Sequence, residues 1–160
     1  MCEYCGCQSI PAIGDLTREH DAVVDLIGQV RSAYRDGDVA GMTAGTRRIA
    51  ELLGPHTAVE EQGLFPAMAG DYPDQIADLV AEHGRIEAVL VQVTVADGPT
   101  PSDPDWSRRL LDALDVLRHH ILKEQDGVFP AALAELSTAQ WETVDAVRDR
   151  VGTALPGVGR

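Results

Sequence analysis

The chain has 160 residues, 44% of them hydrophobic and 4% aromatic, with a net charge of −13. That length buries about two thirds of the unfolded surface without cross-links, which points to one folded domain. Scarce aromatics leave the core to Leu, Val, Ile and Ala, a composition that suits packed helices better than a sheet sandwich. The acidic balance argues against nucleic acid or an anionic membrane as partner, since both are bound through Lys and Arg. No stretch approaches the roughly 18 apolar residues of a membrane span, and the start lacks the basic and apolar regions of a secretory leader. Cysteines occur only at positions 2, 5 and 7, so no disulfide framework is expected and a reducing, cytoplasmic setting follows.

The first twelve residues, opening MCEYCGC, read as a separate cysteine-containing tail. Its three thiols fall one short of a closed zinc set, so Cys2, Cys5 and Cys7 read as a redox-active or partner-binding tail, or as an incidental terminus. Four windows with helical spacing follow. The first aligns Leu16, His20, Val23, Ile27, Val30 and Tyr34. The second aligns Met42, Thr46, Ile49, Leu53, His56 and Glu60, the third Ile76, Leu79, His83, Ile86, Leu90 and Val93. The fourth aligns Trp106, Leu110, Ala113, Leu117, His120 and Glu124. Turn chemistry separates them at RDGD, GDYPD and ADGPTPSDP. A fifth segment begins at Ser137, with Gln140 placed for a capping box, and presents Trp141, Val144, Val147 and Val151. The expected fold is all-α: an antiparallel up-down-up-down four-helix bundle over residues 13–133, covered by a C-terminal helix and tail over 134–160.

The two halves repeat. His56-Thr-Ala-Val-Glu60-Glu-Gln-Gly63-Leu-Phe65-Pro66 returns as His120-Ile-Leu-Lys-Glu124-Gln-Asp-Gly127-Val-Phe129-Pro130, and Leu16-x-x-Glu19-His20 returns as Leu79-x-x-Glu82-His83. Each apolar stripe is interrupted by one histidine, and two of them by a glutamate one turn further on. A lone histidine in such a stripe is ordinarily a hydrogen-bonded core residue. Four of them, one per helix, are different, because unpaired buried imidazoles and carboxylates are costly. Counted along the sequence, His20 and His56 lie 17 and 19 residues from Gly37, and His83 and His120 lie 18 and 19 from Pro101. At about 1.5 Å per residue, all four rings fall in one cross-section. Imidazole and carboxylate donors without thiolates suit iron, manganese or zinc, and two carboxylates can bridge a pair of ions.

This pattern resembles the hemerythrin family, the HHE cation-binding domain, over roughly residues 13–133. The resemblance implies two iron ions in an oxo- or hydroxo-bridged centre. His20 and His56 would bind one, His83 and His120 the other, and Glu60 and Glu124 would bridge. The oxygen-carrying members place a second histidine one turn along the third helix, where this chain has Glu87. Glu87 is therefore a candidate additional ligand, and the site is expected to be more anionic and more open than an oxygen carrier's. His119 reads as a surface neighbour of His120, and Glu61 as a solvated neighbour of Glu60, with metal ligation the alternative for each. Glu19 and Glu82 read as helix-face charges or as acceptors that orient a ligand ring on the next helix. Pro55 sits inside the second pattern as a kink or a break. Phe65 and Phe129 read as core.

The functional expectation is a di-iron protein that binds or responds to oxygen, nitric oxide or peroxide, with a redox partner protein as a further candidate. The alternatives are an enzyme that turns over peroxide or nitric oxide or donates iron for cluster repair, and an iron- or redox-sensing regulatory domain.

Overall fold

The computed structural model describes residues 10–94 and 104–157; Cys2, Cys5, Cys7 and Pro101 lie outside them. The described residues are helical, without a strand. The helices are α1 (Pro11–Arg35), α2 (Val39–Val59), the short α3 (Phe65–Met68), α4 (Pro73–Thr94), α5 (Trp106–Lys123), α6 (Phe129–Glu135) and α7 (Thr138–Val151). Two π-helical turns, Glu60–Leu64 and Glu124–Val128, join α2 to α3 and α5 to α6. The described residues therefore run through five helical segments. No helix among the described residues is long and apolar enough to cross a membrane.

Local chemistry explains the boundaries. Asp36, Gly37 and Asp38 end α1, with Gly37 at φ +68°, a conformation open mainly to glycine. Asp38 caps α2 by accepting from the Gly41 N–H at 2.9 Å. Helix α2 continues through Pro55 without a break. Ser137 and Gln140 form the reciprocal capping box at the start of α7.

Each π turn stands two residues before a proline. Proline has no N–H, and its ring clashes with the carbonyl four positions back. In both turns the preceding phenylalanine reaches five residues back, Phe65 N–H to Glu60 O and Phe129 N–H to Glu124 O. The wider turn moves the Gln62 and Asp126 carbonyls out of the path of Pro66 and Pro130. Such turns are frequent at functional sites.

Helix α1 packs along α2, α2 against α4, α4 along α5 and α5 against α1, while α7 lies on α1, α2 and the first π turn. The apolar core is in two parts. One gathers Val23, Ile27, Val30, Ile49, Leu52, Ile86, Leu90, Trp106, Leu110, Leu114 and Leu117. The other gathers Ile13, Leu16, Val59, Leu64, Phe65, Leu79, Phe129, Val144 and Val147. Between them lies a buried polar layer. Two stripe positions differ from expectation: Tyr34, in the last turn of α1, is exposed, and Leu52 takes the core position with Leu53 only half-buried.

Candidate metal centre

The polar layer contains His20 from α1, His56 from α2, His83 from α4 and His120 from α5, with Glu60 and Glu124 opening the two π turns. All six are buried, and both glutamates are fully so. They form two overlapping quartets, His20–His56–Glu60–Glu124 and Glu60–His83–His120–Glu124, within each of which the donor atoms all lie within 4.8 Å of one another. The two glutamates belong to both. His56 Nε2 lies 3.0 Å from Glu60 Oε1, His83 Nε2 3.2 Å from Glu60 Oε2, and His120 Nε2 3.0 Å from Glu124 Oε1. His20 Nε2 is 3.4 Å from Glu124 Oε1. The rings pair off, His20 with His56 at 4.6 Å and His83 with His120 at 4.5 Å.

The outward nitrogens are held from behind. His56 Nδ1 donates to Glu19 at 3.2 Å, and His120 Nδ1 donates to Glu82 at 2.8 Å. Glu19 and Glu82 thus take the ring-orienting role in each half of the repeat, fixing the tautomer that turns Nε2 to the centre. His83 Nδ1 donates to Glu61 at 2.8 Å. The phenylalanines do more than fill core: Phe65 stacks on His83 at 5.7 Å, and Phe129 on His20 at 5.5 Å.

Glu19 has two further partners. Arg148 of α7 donates to both of its oxygens, at 3.0 and 2.5 Å, and the Thr153 hydroxyl donates at 2.8 Å. Glu82 meets, among the described residues, the Lys123 ammonium in addition to His120. Arg148 and Thr153 did not emerge from the sequence. The available signal was a charged residue on the same face as Val144 and Val147.

Glu87 and His119 stand outside both quartets. Glu87 is exposed at the side of a cavity of about 390 Å³ that runs from the four imidazoles outward between α2 and α4. Ala50, Leu53, Ile86, Leu90, Leu117 and Ile121 give it apolar walls. His119 is exposed and donates to the Asp115 carbonyl at 2.8 Å.

The electrostatics describe a cluster short of positive charge. Burial raises both central carboxyls, yet the facing His56 and His83 hold Glu60 well below the ordinary carboxylate range. Burial and the Glu60 charge push Glu124 up. Burial pulls His20 down to about 3, with the charge of His56 acting in the same direction. For His56, burial is outweighed by the Glu60 charge and the Glu19 hydrogen bond, which raise it to about 10. Glu60 is therefore the more readily ionised of the two carboxyls, and Glu124 the one that keeps its proton to higher pH. Among the described residues, several central atoms face one another across the centre but complete no hydrogen bond: His20 Nε2, His120 Nε2 and both oxygens of Glu60 and of Glu124. Leaving such groups unpaired costs roughly 2–7 kcal/mol each. Cations at the two quartets satisfy all of them, so the donor set fits a metal.

The chain belongs to the hemerythrin family: the model of the hemerythrin HHE cation-binding domain matches residues 12–132. Family and buried His/Glu groups together suggest metal binding. The chain is also similar to a protein named DNA nickase from Nostoc sp. (strain PCC 7120 / SAG 25.82 / UTEX 2576), 26% identical over 121 residues. That match covers 70% of this chain but only 34% of the relative, so the chain spans about a third of that protein's length. No solved structure matches.

Proposed function

We propose that this chain is a non-haem di-iron protein that binds or responds to oxygen, peroxide or nitric oxide in the cytoplasm. His20 and His56 would hold one ion and His83 and His120 the other, with Glu60 and Glu124 shared between them, within four long helices running up-down-up-down. The observation that carries this reading is the pair of quartets sharing both glutamates, with partnerless donor atoms turned inward. Iron at this centre supplies redox and small-ligand chemistry.

The chain's own residues set the conditions for it. Glu19, Glu82 and Glu61 hold three imidazoles in one tautomer, and the two phenylalanines fix the ring planes. The cavity gives a small, weakly polar molecule an apolar path to the histidine side of the centre, past Glu87. An enzymatic reading, turnover of peroxide or nitric oxide with electrons from a redox partner protein, is favoured by the same cavity, which is far larger than a diatomic ligand needs. The DNA chemistry in the relative's name forms no part of the proposal, because a net charge of −13 opposes phosphate binding.

The test is metal content together with the optical spectrum of the aerobic protein, before and after peroxide or nitric oxide. Two irons per chain and a di-iron chromophore that responds to the addition are expected. A purified protein without transition metal, equally stable after His56→Ala and His120→Ala, would refute the reading.

A further inference from the structure

We infer that the two metal positions hold their ions unequally, and that Arg148, in the helix that follows the family domain, is the positioning residue that secures the tighter one. The inference rests on the di-metal reading above. Arg148 lies beyond residues 12–132, the segment matched by the family model.

Each position offers two imidazoles and the same two shared carboxylates, so we place the inequality in what stands behind them. His20 Nδ1 makes no hydrogen bond among the described residues, and the first position is backed through His56. Behind His56, Glu19 is fully buried and accepts from both terminal nitrogens of Arg148, whose own side chain is 3% exposed. Arg148 also donates to the Gly152 carbonyl at 3.0 Å, and Thr153 donates to Glu19. Glu19 thus has four donors converging on two oxygens, from α2, α7 and the segment after α7. His56 is hydrogen-bonded to a carboxylate that cannot turn away from it without breaking the Arg148 and Thr153 contacts.

Behind His120, Glu82 is paired with Lys123, whose side chain is 54% exposed. A solvated ammonium on a flexible stem restrains its partner weakly. Behind His83 stands Glu61, 36% exposed, so in this half one outer carboxylate meets solvent directly and the other, the buried Glu82, is backed by an exposed ammonium. Groups that orient a metal-bound histidine are worth about 10- to 100-fold in affinity. The His83/His120 position therefore releases its ion first and exchanges it with the surroundings, while the His20/His56 position retains its ion.

The experiment follows release of Fe(II) from the full chain, loaded anaerobically with two equivalents and challenged with excess ferrous chelator. Two phases of one equivalent each are expected. Lys123→Met and Glu61→Gln should speed the fast phase severalfold and leave the slow one unchanged. Arg148→Met should speed the slow phase about tenfold, merging the two. If Arg148→Met does not fold, Thr153→Val removes one donor to Glu19 and should speed the slow phase severalfold. A single phase for both ions in the unmodified protein overturns the inference, as does a slow phase indifferent to the Arg148 or Thr153 change in a folded variant. A chain that takes up no metal sinks the di-metal reading instead. Two ions that leave together sink only the inequality.

Discussion

The two halves of the molecule repeat a sequence pattern but not an environment. In the first half the π turn is pressed against α7: a Cβ added at Gly63 would lie 3.1 Å from Val144 Cα. In the second half nothing lies within 4 Å of the corresponding point on Gly127. That turn instead borders a cavity of about 460 Å³ with Ile76, Leu79 and Lys123. The same contrast reaches the centre through Glu19, backed by the buried Arg148, and Glu82, backed by the exposed Lys123. A repeated motif thus fixes which donors point inward, while the flanking helix decides how firmly they are held.

The sharpest way to break the comparison is to remove what the halves share. Glu60→Ala and Glu124→Ala should each lose both metal ions, measured as metal per chain after dialysis, because each carboxylate belongs to both quartets. Loss of one ion per substitution would mean that the halves are independent.

Next come the outer pairs. Arg148→Met leaves the Glu19 charge buried without its guanidinium, and should cost about 3–5 kcal/mol in denaturant unfolding of the metal-free protein. Lys123→Met, at an exposed pair, should cost less than about 1 kcal/mol. The π-turn glycines should then respond with opposite signs. Gly63→Ala sets a methyl against the Val144 backbone and should destabilise by about 1–3 kcal/mol. Gly127→Ala enters open space in a helical turn and should stabilise by about 0.5–1 kcal/mol.

The smallest effect concerns protons. His56 and Glu124 are both raised above their ordinary values in the metal-free cluster, His56 to about 10. A cation must displace those protons, so loading should release protons and strengthen as pH rises. An indicator dye in weak buffer during metal addition measures this; uptake without acidification would contradict the assignment.

Much of this was legible in the sequence because it is local and periodic. The repeat of His-x-x-x-Glu and Glu-His placed the six central residues on the buried faces of four helices, and Glu19 and Glu82 were already candidates for orienting a ring. What the sequence concealed is long-range. Arg148 meets Glu19 across 129 positions, and Glu61 meets His83 across 22; nothing in either local pattern encodes the partner. The Leu52 and Leu53 exchange is a matter of phase. At about 100° per residue, Leu52 and Leu53 lie on opposite flanks of the stripe through Ile49, about 60° and 40° from it, and Leu53 ends beside the cavity. The π turns had a visible cause in Pro66 and Pro130, but a proline alone does not reveal whether a helix widens or stops.

The phenylalanine contacts carry a last consequence. Phe65 belongs to the first half and lies on His83 of the second, while Phe129 belongs to the second and lies on His20 of the first. Glu61 crosses in the same way to His83. Each half therefore holds an imidazole of the other, as two subunits would across a twofold axis. Neither hairpin carries a finished site, so the centre comes into being only when the chain closes on itself, and a cut between the halves need not destroy it so long as the two pieces can still meet.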